Sequence, residues 1–373
     1  AAKKSPRRIL EDVLLVAAPG GRLEVYATDG DTSARLVVAA ADIDGPRAGA
    51  SPLTIAVNAK RALDLARTIS DDRVTITPRD AGVIRIASAS NAKMKFDVVT
   101  TPDPSEFPDM AFLDAKEVAE LAPIVLDGEA LARAIDRTAF AAATEESRFS
   151  MTGTCFDWSR ESALTLVATN GKQIAIAPVA GGAPGSPAGK MDVLSSRAVT
   201  ALRRFIEGAE KVTVRRNEFR MVFTCGNGAS GEVFSGQLLT GHFPPYTGAV
   251  RGASESKSRV TIDRSALADA ISAASLMTTT DSRAVRLSFT YGRLTVQGRG
   301  PDAGESAIEI DCPSWTHEPF EIAFDPGMLL PALGVVDEID SVPFEFEAPG
   351  KAGIMRLEDG SGYVYVIMPI GIG

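Results

Sequence analysis

Cysteine, histidine and tryptophan are scarce in this chain of 373 residues, at three, two and two. Cys155, Cys225 and Cys312 lie 70 and 87 residues apart with no CxxC pair, and only His242 and His317 could join them as soft ligands. Neither a zinc site nor a disulfide framework is expected, and a reducing cytoplasm suits such a chain. Long apolar runs are missing too: none reaches the roughly 18 residues a bilayer span requires, and no charged start followed by an apolar stretch marks a signal peptide. There is no basic excess. Lys and Arg total 39 against 48 acids, a net charge of −9. That excludes a basic protein coating phosphates but leaves room for a local basic surface. Enzyme signatures are absent as well: no P-loop, GxSxG elbow, HExxH or helix-opening GxGxxG is present. His242, beside Phe243-Pro244, has no identifiable acid or nucleophile partner. The expectation is a non-catalytic protein without metal or cofactor. With 45% hydrophobic and 23% charged residues the chain is ordinary globular material, long enough for two or three domains at about 100–200 residues each.

What the chain does have is repetition. Ala27-Thr28-Asp29-Gly30, after the strand-like Arg22–Tyr26, recurs as Ala168-Thr169-Asn170-Gly171 after Leu164–Val167, an offset of 141. Val57–Arg67 matches Leu194–Arg204 at 137, and Phe107-Pro108 matches Phe243-Pro244 at 136. Three landmarks in one order at similar offsets indicate a duplicated domain. Asp29 and Asn170 admit a catalytic reading, but an Asx-Gly turn accounts for them more economically.

A third copy is fainter. Val260–Leu267 resembles Ile124–Leu131: a short strand, an Asp placed to cap orphan N–H groups, then an Ala/Leu-rich helix. After each helix an Arg opens a strand, at Arg148 and Arg283. Ile322–Pro326 leads into a further helix with Asp at the cap and Pro in the first turn, matching the segments at Asn58 and Ser195. Copies two and three thus read β-α-β-β-β-α-β-β-β, an α+β pattern. The proposed boundaries are 1–121, 122–252 and 253–373, with the small polar run Gly252–Ser258 as a linker. The first copy lacks the opening strand and helix, so a segment of about twenty residues is expected upstream in the natural chain.

Ala168-Thr169-Asn170-Gly171-Lys172-Gln173-Ile174-Ala175, Thr240-Gly241-His242-Phe243-Pro244-Pro245-Tyr246 and the terminal Tyr365–Ile370 resemble motifs of the bacterial DNA polymerase III β subunit, the sliding clamp. The family's usual forms are ATDGHRLA, a G-x-FPDY segment and an MP-plus-hydrophobic tail, and the likeness runs in the family's order over nearly the whole chain. Departures are Asn170 for Asp, Lys172-Gln173 for His-Arg, Pro245 for Asp, and a Gly371-Ile372-Gly373 ending.

The resemblance implies three DNA-clamp domains per chain, helices lining a channel with antiparallel sheets outside, and a head-to-tail homodimer that closes a ring around duplex DNA. Such a ring is a processivity factor: it touches phosphates loosely and without sequence readout, which reconciles −9 with a DNA partner. Two helices support a basic lining. Lys60, Arg61 and Arg67 against Asp64, and Arg197, Arg203 and Arg204 against Glu207, each give a net +2, whereas Asp325–Glu338 gives −3. DNA contact is therefore expected from Lys4, Arg7, Lys60, Arg67, Arg148, Arg197 and Arg283, the alternative for each being a solvated surface. The family also implies a groove that takes short motifs, a Gln with two hydrophobic anchors, from the polymerase and clamp loader. Its matching positions are Met151, Thr169, Gly171, Lys172, Ile174, Pro244, Val366, Met368, Pro369 and Ile370. The alternative there is an ordinary core-sealing C-terminal strand. A dimer contact is expected between the edge near Val98 and Leu276-Met277 of the other chain, against the alternative of a free, charged edge. Other functions in view are a clamp paralogue or tethering module with altered partners and, more distantly, a hydrolase on repeated α+β domains. The last needs a nucleophile and base the sequence does not display.

Overall fold

The computed structural model describes the chain except residues 3–4, 19–21, 40–52, 80–81, 92, 111–115, 146–150, 160–162, 184–185, 187–188, 226–230, 249–257, 280–282 and 372–373. The first third holds β1 (Asp12–Ala18), β2 (Arg22–Thr28), β3 (Thr32–Ala39), β4 (Leu53–Asn58), α1 (Ala59–Thr68), β5 (Val74–Pro78), β6 (Val83–Ser88), β7 (Lys95–Val99) and the short α2 (Lys116–Glu120). The middle holds β8 (Ile124–Asp127), α3 (Gly128–Ala139), β9 (Gly153–Asp157), β10 (Thr165–Thr169), β11 (Gln173–Pro178), β12 (Met191–Ser195), α4 (Ser196–Phe205), β13 (Lys211–Arg216), β14 (Arg220–Cys225) and β15 (Val233–Gln237). The last third holds β16 (Ser258–Asp263), α5 (Arg264–Ser275), β17 (Val285–Thr290), β18 (Arg293–Gly300), β19 (Gly304–Asp311), β20 (Phe320–Phe324), α6 (Pro326–Gly334), β21 (Ser341–Phe346), β22 (Gly353–Arg356) and β23 (Val364–Ile367).

The α+β repeat is thus present with one correction: four strands, not three, separate the two helices of the middle and last thirds. The extra strands are β12 and β20, with β4 as their counterpart in the first third. Each is a five- or six-residue strand running straight into a helix cap, so its few residues read in sequence as the lead-in to the helix. The caps are those expected. Asn58, Asp127, Ser195, Asp263 and Asp325 each accept a backbone N–H from the first turn of the helix that follows.

The chain divides into two compact units, Ala1–Val125 with Ala209–Gln237, and Leu126–Gly208 with Leu238–Gly373. In the first, one sheet runs β4-β1-β2-β3-β15-β14-β13 with β8 at its far edge, and a three-stranded sheet runs β5-β6-β7. In the second, one sheet runs β12-β9-β10-β11-β23-β22-β21-β16 and another β19-β18-β17-β20. Strands from successive repeats meet in antiparallel ladders, β3 with β15 and β11 with β23, so each large sheet is shared by two repeats.

Helices cover one face of the second unit's large sheet. α3 lies against β9, β10 and β11 and packs on α4, while α5 packs on α6. Leu131, Ala134 and Ile135 of α3 and Val199 and Leu202 of α4 are at most 2% exposed. One such aliphatic side chain contributes about 1.5–3 kcal/mol when fully buried, so the helix pair is held by its apolar stripe. α1, in the first unit, lies on β4 and β1 and has no buried residue. Among the described residues no helix is long and apolar enough to cross a membrane.

Candidate partner groove and charged helix faces

The turn between β10 and β11 is built by its own side chains. Asn170 Oδ1 accepts the backbone N–H groups of Lys172 and Gln173, both at 3.0 Å. The Thr169 hydroxyl donates to the Gln173 carbonyl at 2.6 Å, and Gly171 takes a φ of +85° that a side chain would resist. Asp29 does the same work in the first unit, accepting from the N–H groups of Asp31 and Thr32 and from the Thr32 hydroxyl at 2.8–3.1 Å. In both Asx residues Oδ1 builds the turn, which supports the turn reading over the catalytic one.

Beyond the turn, alternation along β11 sends Ile174 and Ile176 to one face, and register sets them opposite Val366 and Val364 of β23. Cys155, Val167, Val193, Phe243 and Ile354 complete the buried cluster, with Leu239, Tyr246 and Ala352 packed against it. The segment that closes over the cluster is tied down at two points. Leu239 N–H donates to the Val193 carbonyl at 2.8 Å, and the Tyr246 hydroxyl donates to the Asp157 carboxylate, with the Tyr246 ring edge-on to Phe243. The tail continues past β23 on the same side as the turn: Met368 N–H donates to the Lys172 carbonyl and Ile370 N–H to the Ala323 carbonyl, each at 2.8 Å. Tyr365, wholly buried, places its hydroxyl 2.8 Å from Gln173 Oε1 and 3.0 Å from the Met328 carbonyl, and burial pushes its ionisation far up.

The structure brings most of the expected groove positions together. Ile174 and Val366 form part of one apolar floor. Thr169, Gly171 and Lys172 stand at its end, and Met368, Pro369 and Ile370 follow directly, Met368 being 49% exposed. Pro244 is half-buried beside Phe243. Met151 is half-buried just ahead of β9 and is not among the cluster's residues, its carbonyl accepting from Ala143 N–H. Ile176, Val364, Cys155 and Ile354 were not singled out from sequence. The alternation Ile174/Ile176 against Val364/Val366 was the available signal, but the register that joins them belongs to the fold.

The charged residues sort less evenly. Lys60, Arg61 and Arg67 are exposed on α1, and Arg197 and Arg204 on α4. Arg203 is committed: its Nε lies 2.8 Å from an Asp136 oxygen, tying α4 to α3. Arg7 and Arg283 are exposed outside the helices, while Lys4 and Arg148 lie outside the described residues. The acids of the third helical segment have local duties. Asp325 Oδ1 accepts the Gly327 N–H at 2.8 Å, and Glu338 lies 2.6 Å from Arg137. Arg137 is itself only 4% exposed, reaches Asp359 at 3.1 Å and sits 5.5 Å above the Tyr363 ring. Burial works against the charges of Glu338 and Asp359, but their hydrogen bonds and the guanidinium outweigh it and hold both carboxyls below the usual range.

Val98 is buried with Val57, Ile69, Ile84 and Ile86 in the core of the first unit, and its neighbour Val99 is 64% exposed on the opposite face of β7, an edge strand. Leu276, just past α5, is 75% exposed and Met277 half-buried. All three cysteines are buried free thiols, and burial raises each above the ordinary value, Cys225 to about 11. No group of three or more His, Cys, Asp or Glu fit to hold a metal ion occurs among the described residues.

Shared sheets between α+β repeats, with paired helices on one face and a buried apolar cluster on the other, define a clamp-type architecture. The models of the DNA polymerase III β subunit match it directly, the central domain over residues 125–245 and the C-terminal domain over 254–371. The chain belongs to the DNA polymerase III β subunit family, the sliding clamps. It is 24% identical to a Pseudomonas putida β sliding clamp over 97% of this chain and 92% of that one. It is 28% identical to the Caulobacter vibrioides clamp over 67% of this chain and 66% of that protein. Among solved structures it resembles a Pseudomonas aeruginosa clamp bound to griselimycin, at a TM-score of 0.82 with 23% identity, and the Thermotoga maritima β subunit, at 0.83 with 21%. The alignments span all of this chain and 94% of each of those.

Proposed function

We propose that the chain pairs head to tail with a second copy to close a ring on duplex DNA, and that the groove of the second unit tethers a polymerase and its loader by short linear motifs. The boundaries 1–121, 122–252 and 253–373 then delimit three clamp repeats. The observation that supports this reading is the apolar cluster of Ile174, Ile176, Val364 and Val366, buried next to a tail whose Met368 is 49% exposed. A leucine or phenylalanine anchor finds apolar contact there, and Met368 supplies an adaptable wall. The second copy would meet the β7 edge around Val98 through Leu276-Met277, with Val99 and Leu276 supplying the exposed apolar area. Lys60, Arg67 and Arg197, with Arg7 and Arg283, supply the loose phosphate contacts.

A fluorescent peptide carrying a Gln and two hydrophobic anchors should bind in the micromolar range, about −8 kcal/mol. Deleting Met368 to Gly373 should abolish that binding and leave the dimer intact. Equal binding by the truncated chain would refute the groove assignment.

A further inference from the structure

Both large sheets are joined in the same way: the last strand of one repeat, β15 or β23, pairs antiparallel with β3 or β11 of the repeat before it. A row of neighbours crosses each joint at the same place. It starts two residues before a helix cap, at Val193, runs through Cys155, Val167 and Ile176, and crosses to Val364. In the first unit it starts at Ala56, runs through Leu14, Tyr26 and Arg35, and crosses to Val233. In the last repeat it starts at Ala323, runs through Arg286 and Gln297 to Ala307, and stops, because β19 is a sheet edge.

The strand that would continue the row is β7, the last of the first repeat and an edge of its own sheet. Its register follows from β13 and β5, which carry the matching runs Lys211-Val212-Thr213-Val214 and Arg73-Val74-Thr75-Ile76. From Thr213 the pairing passes through Thr224 to Val233, and from Thr75 through Ala87 to Lys95. Lys95 thus holds the place of Val233 and Val364. A second copy adding its β7 to β19, as the chain makes its own joints, sets Ala307 opposite the partner's Lys95 and Ser306 opposite the partner's Phe96. Glu305 then faces the partner's Asp97, and Gly304 the partner's Val98.

Burial and charge fit that register. Met94, Phe96 and Val98 alternate inward along β7, and Ser306, Ile308 and Ile310 along β19, while Lys95, Asp97, Glu305, Glu309 and Asp311 are exposed. A slip of one residue would turn the charges of one strand onto the inward face of the other. On the exposed face Lys95 lands between Glu305 and Glu309, the diagonal neighbours that a long side chain reaches. The opposed acids Glu305 and Asp97 are each flanked by an arginine. Arg85 holds Asp97 by two hydrogen bonds of 2.7 Å, and Arg299 stands across from Glu305 on β18. A Cβ built on Gly304 would lie 4.0 Å from Met277 Sδ, so the register itself carries the partner's Val98 beside Met277.

We infer that a second copy adds its β7 to β19 in this register and that charge holds the seam, Lys95 of one copy between Glu305 and Glu309 of the other, so that salt opens the ring here. The joints inside the chain carry Ile174 with Val366 and Ser33 with Ser235 where the seam carries Glu305 with the partner's Asp97. Screening therefore loosens the seam and leaves those joints alone. This rests on the head-to-tail pairing proposed above and adds its register and its sensitivity to salt.

The test uses the whole chain. Under a mild oxidant Ala307→Cys/Lys95→Cys should cross-link the dimer, whereas Glu309→Cys/Lys95→Cys, two residues out of register, should not. By sedimentation the native dimer should weaken as salt rises, and Lys95→Glu should raise its dissociation constant about tenfold, the change entering both seams. Glu305→Lys/Glu309→Lys should weaken it likewise. The charge swap Lys95→Glu/Glu305→Lys/Glu309→Lys should recover most of the affinity, which a misfolded chain would not. A native dimer that fails to cross-link, that links the offset pair equally, or that is indifferent to salt and to Lys95→Glu overturns the inference and leaves the ring standing. A native chain that stays monomeric overturns both.

Discussion

Arg137 and Glu338 meet at 2.6 Å with the guanidinium only 4% exposed, and the same guanidinium reaches Asp359 at 3.1 Å. One side chain of α3 thereby holds both the segment after α6 and the turn that leads into β23. Replacing Arg137 by Met removes the cation and leaves two carboxylates on a partly buried site. Breaking a fully buried pair costs about 3–5 kcal/mol; with Glu338 half exposed we expect about 2 kcal/mol, read by urea denaturation.

The same ion pair fixes a pH dependence. Both carboxyls titrate below their unfolded values, so the folded state binds fewer protons and their contribution is complete above about pH 5. It is lost as pH falls through the folded values. The stability of the native chain should drop between about pH 5 and 3, and Arg137→Met should flatten that drop. Parallel curves for the two proteins would show that the clasp contributes nothing there.

Gly153 makes a different kind of constraint. A Cβ built on it would sit 2.0 Å from the Leu194 carbonyl oxygen, because β9 runs close to β12 at the start of α4. The obstacle is backbone, so relief requires the ladder to open. Gly153→Ala should destabilise by about 3 kcal/mol. Gly171→Ala, where φ is +85° but open space surrounds the Cβ, should cost only about 1 kcal/mol. Similar midpoints for the two variants in denaturant would contradict the distinction.

These cases show what the sequence displayed and what it hid. The Asx-Gly turns at Asp29 and Asn170 and the five helix caps were legible because each is satisfied within a few residues. Strand β12 was hidden by its shortness and by the cap that follows at once. The groove floor depends on Ile174 facing Val366, and the clasp on Arg137 facing Glu338. Both join remote segments whose pairing is decided by strand order, which no local pattern encodes. The net −3 of the last helical segment looked like a conflict with DNA contact. Asp325 and Glu338 turn out to serve a helix cap and an ion pair.

The thiols report on the packing. Cys155, Cys225 and Cys312 are buried, and burial raises their ionisation, so little thiolate forms at pH 8 or so. A disulfide reagent should react slowly with the native chain and rapidly with all three thiols in denaturant. Because Cys155 lies in the groove floor, its labelling rate should follow unfolding and not the addition of a weak motif peptide. Fast native labelling of Cys155 would mean that the floor opens on its own.

The last expectation concerns DNA. Arg67 ends α1 and Arg197 begins α4, both exposed, whereas Arg203 is held by Asp136 and α6 carries no cation. If the exposed pair neutralises phosphates, every phosphate left without its cation takes about 0.9 off the log–log slope of affinity against salt. Arg67→Glu/Arg197→Glu should therefore release nicked circular DNA sooner and with a flatter salt dependence, while Arg203→Gln, already paired in the protein, should change the slope little. Sedimentation should give both variants the same assembly state as the native chain, which separates weaker DNA binding from failed assembly. Equal retention of the native and doubly substituted chains at several salt concentrations would remove Arg67 and Arg197 from the DNA-facing set.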